Sequence, residues 1–352
     1  MANYYITGIQ QVGIGVENAD QAWKWYRQSF DMDIPVFEDE AEASLMTKYT
    51  GGKVFKRKAI LAINMQGGGG FEIWQYLNRK PMPFGKDILP GDLGINNVKI
   101  KCKDVGAAYQ HLTKLKREII SEVLLDPSGK KHFYVKDFDG NIFEVIESAD
   151  WFSKNKDVFG GAAGCTIGVT DLEKSLRFYK NVLGYKELVY DKTDCFTDIE
   201  NSISQNQKYR RVLLRHDGER KGAFSNLLGV TEVELIQCYN RIPAKIFENR
   251  YWGDKGFIHV CFDVVHMEHL ESNCNKEGFS FLVDSNKSFS MGQAAGRFAY
   301  IEDPDGTLIE LVETHKIPIM KKLGWYLNVK KRNPEKPLPK WMLKALSLNR
   351  KK

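Results

Sequence analysis

The chain has 352 residues, 43% of them hydrophobic and 27% charged, which is typical of a globular protein with two or three domains. No apolar run approaches the roughly 18–20 residues needed to cross a bilayer, and residues 1–6 lack the features of a secretory signal. The charge of +6 is uneven, because from Lys316 onward twelve basic residues face one acid, Glu335, and the rest of the chain carries −5. Such an acidic body argues against a nucleic-acid-binding surface.

The predicted elements repeat along the chain. A short strand followed by a helix led by Asp or Asn begins near residues 9, 95, 162 and 257. The run at 13–26 recurs 153 positions later at 166–179, and the run at 137–147 recurs 166 positions later at 303–313. The two halves are therefore duplicates, and each half divides into two copies of one β-α-β-β-β module.

The strands alternate between apolar and other residues. In the first strand Val12, Ile14 and Val16 are expected to face the helix, while Gln11 and Gly13 face the other way. Each copy closes with a strand that carries one glutamate among apolar residues; these glutamates are Glu72, Glu144, Glu234 and Glu310. The glycine run at 67–70 precedes such a strand and not a helix, so it is interpreted as a flexible hairpin turn.

These motifs resemble the vicinal oxygen chelate superfamily, which includes glyoxalase I, extradiol dioxygenases and bleomycin-resistance proteins. The resemblance rests on the Ser-Leu-Arg-Phe-Tyr helix at 175–179 and the Asp-Pro-Asp-Gly turn at 303–306, and it covers residues 5 to about 315. It implies an α+β fold in which four βαβββ modules pair into two glyoxalase-like domains with cupped, half-barrel sheets. We expect a first domain at 1–150, a second at 151–315 and a basic C-terminal tail at 316–352.

The resemblance also implies where a metal would bind, because the family takes ligands from the first and last strand of each module. The matched positions in the expected first domain are Gln11, Glu72, Asn97 and Glu144. Those in the expected second domain are Gly164, Glu234, His259 and Glu310. We expect one divalent metal (Zn, Mn, Ni, Co or Fe(II)) in the second domain, held by His259, Glu310 and Glu234, with one ligand missing at Gly164.

Three functions remain open. The preferred one is a glyoxalase-like lyase, isomerase or epimerase that acts on a small substrate with vicinal oxygens, with Glu234 or Glu310 as the general base. The first alternative is a two-domain iron(II) dioxygenase of the extradiol or hydroxyphenylpyruvate type. The second is a metal-free small-molecule-binding protein of the bleomycin-resistance kind.

The remaining expectations concern surroundings and partners. Six scattered cysteines, with no CxxC pair, indicate buried thiols in a reducing compartment, so the cytoplasm is the expected location. The chain is expected to be a monomer or a homodimer. The basic tail is expected to pack on the acidic body through Trp325, Tyr326 and Trp341, and a short amphipathic helix is predicted at 341–348.

Overall fold

The computed structural model describes residues 4–153, 155–199, 206–216, 220–286, 289–291, 294–320 and 324–351. The first module contains β1 (Tyr5–Gly15), α1 (Ala19–Phe30), β2 (Ile34–Glu42), a 3-10 helix (Ser44–Tyr49), β3 (Lys56–Ile63) and β4 (Gly70–Tyr76). The second contains β5 (Gly94–Cys102), α2 (Val105–Lys114), β6 (Glu118–Ile119), β7 (Leu124–Leu125), β8 (Lys131–Lys136) and β9 (Ile142–Glu147).

The third module contains β10 (Phe159–Gly168), α3 (Leu172–Asn181), β11 (Glu187–Asp194), β12 (Tyr209–Arg215), α4 (Ser225–Leu228) and β13 (Glu232–Cys238). The fourth contains β14 (Gly256–Val265), α5 (Met267–Glu277), β15 (Val283–Asp284), β16 (Phe289–Met291), β17 (Ala294–Glu302) and β18 (Leu308–Met320). A tail follows with β19 (Trp325–Asn328), α6 (Lys340–Lys344) and a 3-10 helix (Ala345–Asn349).

The described strands form two curled mixed sheets, and the modules pair in a nested order. The outer cup, as we name the first sheet, joins modules one and four in the order β15-β17-β18-β14-β1-β4-β3-β2. The inner cup joins modules two and three in the order β11-β12-β13-β10-β5-β9-β8-β6. The seams are the antiparallel pairs β1–β14 and β5–β10. The expected pairing of modules one with two and three with four is therefore wrong at the level of the sheets, while the α+β class with two cups is confirmed.

The helices pack on the backs of both sheets around one shared core. Val12, Ile14 and Val16 are fully buried in this core, as their strand parity predicts. Asn18, Asp104 and Asp171 cap the helices α1, α2 and α3 by accepting backbone N–H bonds. The fourth module departs from this pattern, because His266 precedes α5 with φ +65 and Glu313 accepts the N–H groups of His266 and Met267.

Two equivalent tyrosine–aspartate bonds tie the cups together. Tyr26 of α1 donates to Asp137 at 2.7 Å, and Tyr179 of α3 donates to Asp303 at 3.0 Å. Each bond joins a helix of one cup to the turn before the closing strand of the other. All four side chains are buried, and burial raises the pKa of both aspartates to about 6. The repeated motifs thus contribute both to each module and to the contact between the cups.

The glycine run at 67–70 is a hairpin connection, as expected, and it is buried. Gly69 exchanges backbone bonds with Ala162 of β10 at 2.7 and 2.8 Å. A Cβ atom on Gly68 would lie 2.8 Å from the backbone of Gly161. Absence of side chains therefore allows the two cups to approach each other here.

The basic tail packs on the body, but through aliphatic residues and not through its tryptophans. Leu338, Leu343 and Leu346 are buried with Ile319 in a cluster beside β2 and α4. Trp325 and Trp341 are 43% and 59% exposed. Ion pairs from Arg350 to Asp33 (3.0 Å) and from Lys351 to Glu38 (3.1 Å) add to this contact. Within the described residues, no helix is long and apolar enough to span a membrane.

Candidate metal centre

Four neighbouring strands of the outer cup each place one polar side chain on its concave face. Along the sheet these are Glu310 on β18, His259 on β14, Gln11 on β1 and Glu72 on β4. The register sets them in two rows, because Gly13 pairs with both Glu72 and His259, while Cys261 pairs with both Gln11 and Glu310. Since alternate residues of a strand share a face, one set of side chains converges at the seam of modules one and four.

The four groups lie close together and away from water. His259 Nε2 is 3.3 Å from Glu72 Oε2 and 3.2 Å from Glu310 Oε2, and Gln11 Nε2 donates to Glu310 Oε2 at 3.2 Å. Donor atoms of the two glutamates and the histidine all lie within 4.8 Å of one another. All four residues are buried, with His259 fully so.

The His259 ring is held from several sides. Its Nδ1 lies 3.4 Å from the Tyr300 hydroxyl, and the Trp252 ring is nearly parallel to it at 6.3 Å. Gly13 lies directly behind the ring, where a Cβ atom would come within 2.3 Å of Cε1. The ring therefore presents Nε2 to the two carboxylates.

The charges in this site are strongly coupled. Burial alone would lower the pKa of His259, but Glu310 and Glu72 outweigh it and raise that pKa to about 9. Burial alone would raise the pKa of Glu310, yet His259 outweighs it and lowers the pKa. Without a metal, an imidazolium thus offsets one of the two carboxylate charges; to act as a metal ligand, the imidazole would have to be neutral.

The donor set fits a divalent cation. One imidazole, two carboxylates and one amide oxygen are ligands that Zn, Mn, Ni, Co and Fe(II) accept. Within the described part of the chain, the buried atoms His259 Nε2 and Gln11 Oε1 have no hydrogen-bond partner of good geometry. Glu72, His259 and Glu310 are also the one group of three such ligands found there. A bound metal would satisfy these two atoms, but Asn97 Oδ1 and Glu144 Oε1 of the inner cup also lack such a partner, so it is the ligand set that distinguishes the outer cup.

The inner cup carries the matched positions but a different chemistry. Lys99 of β5 places its ammonium 2.5 Å from Glu144 Oε2 and 2.9 Å from Glu234 Oε2. Arg211 contacts the other oxygen of Glu234 at 2.6 Å, and His132 lies 2.8 Å from Glu144. The two closing glutamates thus already face cations of the protein itself.

The pKa values show how firmly these charges are fixed. Burial alone would raise the pKa of Glu144, but Lys99 and His132 outweigh it and lower the pKa to about 2. Burial opposes the charge of Lys99 as well, but Glu144 and Glu234 raise its pKa. The first-strand position is closed too, since a Cβ on Gly164 would lie 2.4 Å from the carbonyl oxygen of Glu232. In the inner cup Lys99 stands where a metal would be expected.

The structure groups the expected ligands differently from the sequence analysis. It brings His259 and Glu310 together, but Glu234 belongs to the inner cup and is paired with Lys99 and Arg211. Glu72 and Gln11, which were expected in a separate first domain, complete the group in the outer cup. Asn97 and Glu144 lie in the inner cup with Glu234.

The comparisons with known proteins agree with this architecture. The family model of the Glyoxalase/Bleomycin resistance protein/Dioxygenase superfamily matches residues 8–145 and 162–311. The chain is 29% identical over 154 residues to lactoylglutathione lyase of Pseudomonas putida, covering 42% of this chain and 81% of that protein.

Solved structures show the same fold at low sequence identity. Glyoxalase I from Zea mays matches with a TM-score of 0.53 and 16% identity, covering 88% of this chain and 92% of that one. A candidate dioxygenase from Bacillus subtilis matches with a TM-score of 0.55 and 12% identity, covering 88% and 86%. With four modules, two cups and a family match over most of its length, the chain belongs to the Glyoxalase/Bleomycin resistance protein/Dioxygenase superfamily.

Proposed function

We propose that the chain is a metal-dependent lyase, isomerase or epimerase that moves a carbon-bound proton of a small substrate with vicinal oxygens. The observation that supports this most is the convergence of Gln11, Glu72, His259 and Glu310 from four adjacent strands. These residues would hold the metal through Gln11 Oε1, the two carboxylates and His259 Nε2. When bound, a divalent cation acts as a Lewis acid on the two substrate oxygens and stabilises the negative charge that develops there.

Glu310 is the general base in this proposal. Its carboxylate borders the cavity above the site, and Gln11 and His259 both contact Oε2. A carboxylate at this place can accept the carbon-bound proton of a substrate held at the site. Glu234, the other base considered from the sequence, lies in the inner cup and is engaged by Lys99 and Arg211.

The ligand set favours this function over the two alternatives. Iron(II) oxygenases of the 2-His-1-carboxylate type need two imidazoles, whereas the outer cup offers one imidazole and two carboxylates. In a metal-free binding protein the buried pair Glu72 and Glu310 would face each other with only His259 to offset their charge. The Pseudomonas putida relative, named as a lactoylglutathione lyase, supports the class of lyases.

Metal content tests the site. We expect near-stoichiometric divalent metal in tag-free protein, measured by mass spectrometry after reconstitution and desalting, and loss of that metal in His259→Ala. Asn97→Ala is the matched control, because Asn97 holds the same repeat position in the inner cup. A wild-type protein that binds no metal, or a His259→Ala variant that keeps it, would contradict the proposal.

Proton transfer tests the base. In D2O the metal-loaded enzyme is expected to exchange the carbon-bound proton of an α-hydroxyketone, followed by NMR. Glu310→Gln should keep at least part of the metal but slow the exchange by about 100-fold or more, the usual contribution of a general base. Exchange at the wild-type rate in Glu310→Gln would exclude this role.

A further inference from the structure

A deep cavity of about 940 Å³, including its open mouth, rises from the candidate metal centre. Its floor is polar and consists of Gln11, Glu72 and Glu310, with Gln10 beside them. Above the floor the lining changes to aliphatic and aromatic side chains. The cavity therefore joins a site for chelating oxygens to a largely apolar chamber.

The apolar walls come from parts of the chain that are distant in sequence. Ile63 closes β3, Leu227 belongs to α4 of the third module, and Ile317 and Leu346 belong to the C-terminal part of the chain. These four side chains are at most 7% exposed, although they border the cavity. An apolar chamber assembled from three modules and the tail gains binding energy from apolar ligand surface.

The described lining holds no cation that is free to meet an anionic ligand. Beyond the floor, Arg297 is the charged side chain among the described lining residues, and it contacts Asp284 at 2.5 Å and Glu271 at 2.7 Å. Gln10 donates to Asp263 at 2.9 Å, so its amide is engaged as well. A carboxylate brought into this chamber would lose its water without gaining a partner, which is costly.

We propose that the substrate has two adjacent oxygens at one end and an uncharged, apolar body at the other. This rests on the function proposed above and assigns its substrate class: the oxygens bind at the floor, and the body fills the chamber between α4 and the tail. A charged peptide conjugate such as the lactoylglutathione in the name of the Pseudomonas putida relative does not match this lining.

A series of hydroxamates tests the proposal, because each carries two adjacent oxygens and differs only in its body. Acetohydroxamate, hexanohydroxamate, octanohydroxamate and a hydroxamate of similar length ending in a carboxylate are titrated calorimetrically into Zn-loaded and EDTA-treated protein. Each added methylene can contribute up to about fourfold in affinity; at about twofold each, the six extra methylenes of octanohydroxamate are expected to make it bind about 60-fold tighter than acetohydroxamate. The carboxylate-ended compound is expected to bind at least tenfold more weakly than octanohydroxamate.

Wall variants locate the effect. Leu346→Asp should remove most of the gain with chain length and leave acetohydroxamate binding unchanged. Leu348→Asp is the matched control on the same 3-10 helix, since Leu348 is 59% exposed. Leu227→Gln on α4 repeats the test on another wall in case Leu346→Asp loosens the tail, which thermal unfolding reports.

The outcomes separate the two proposals. If the protein takes up no metal, the proposed function fails, while chain-length dependence in EDTA-treated protein still supports the apolar chamber. If acetohydroxamate binds the Zn-loaded protein but affinity is flat along the series, the substrate class fails alone. Tighter binding of the carboxylate-ended compound than of octanohydroxamate would also overturn it.

Discussion

Gly13 decides the geometry of the candidate centre although it has no side chain. It sits between Glu72 and His259 in the sheet, and the His259 ring lies against its Cα. In the inner cup the repeat places Thr166 at this position and Asn97 at that of His259. The inner cup thus combines the smaller Asn97 with the larger Thr166, whereas the outer cup combines the larger His259 with Gly13.

Gly13→Ala is expected to displace the His259 ring, because the new methyl group would lie 2.3 Å from Cε1. We expect metal affinity to fall by at least about tenfold, because a displaced imidazole no longer points its nitrogen at the metal. Losing a group that orients a metal ligand typically has an effect of this size. Isothermal titration with Zn²⁺ measures this. Thr166→Ala serves as the control in the inner cup, and wild-type affinity in Gly13→Ala would refute the role of Gly13.

His259 and Glu310 could be proposed from the sequence because the repeat places them at the positions from which the resembled family takes its metal ligands. Gln11 and Glu72 were recognised too, but they were grouped with Asn97 and Glu144, since a duplicated sequence does not say which first strands pair. One signal in the sequence favours the observed grouping: Gly164 leaves modules three and four one ligand short, whereas modules one and four together offer an imidazole, two carboxylates and an amide. The role of Lys99 could not be predicted from the sequence, because its burial depends on two glutamates from other strands.

At the scale of elements, β5 of the inner cup shows how a strand can replace a metal with its own cation. Its Lys99 occupies the repeat position held by Cys261 on β14. From there the ammonium reaches the closing glutamates of both β9 and β13. The inner cup thus keeps the two carboxylates of its fold and neutralises them internally.

Lys99→Met is expected to destabilise the protein by about 3–5 kcal/mol at pH 7, because it leaves Glu144 and Glu234 buried near each other with less positive charge. The loss should shrink near pH 4.5. In the wild type the pKa of Glu144 is about 2, so its contribution to stability is complete above its ordinary pKa and is lost as the pH falls toward 2. In the variant both carboxylates become protonated as the pH is lowered, which removes the cost of burying two negative charges.

Urea unfolding of both proteins at pH 7 and 4.5 measures this difference. Lys130→Met is the control, because Lys130 is 43% exposed and lies 3.8 Å from Glu232; its effect should stay within about 0.5 kcal/mol. Equal losses from the two substitutions would contradict the structural role of Lys99.

At the scale of the whole molecule, the outer cup depends on both ends of the chain. β1 pairs with β14, so Gln11 and Glu72 come from the first module and His259 and Glu310 from the fourth. The four modules followed from repeats in the sequence, and the α+β class was implied by the family resemblance that these repeats carry. The pairing of modules followed from contacts between distant segments, which local patterns do not record.

Separate fragments test the nested pairing. Residues 1–154 and 155–352, divided in the segment between β9 and β10, should each bind Zn²⁺ at least about tenfold more weakly than their mixture, because neither contains all four donors. Titration of each fragment and of the mixture measures this. A protease site inserted at the same place provides the cut in the folded protein if the fragments aggregate alone. Full metal binding by residues 155–352 would contradict the pairing.

The nested order of the modules also determines which cup can form first during translation. The inner cup can close once its third module leaves the ribosome, whereas β1 must wait for β14, on the order of ten seconds or more at typical rates of translation. During that interval the seam edge of β1 lacks its neighbour and needs protection from other strands. A chain that stops before the fourth module lacks His259 and Glu310 and cannot assemble the candidate centre. Metal uptake would therefore show that the fourth module has been translated.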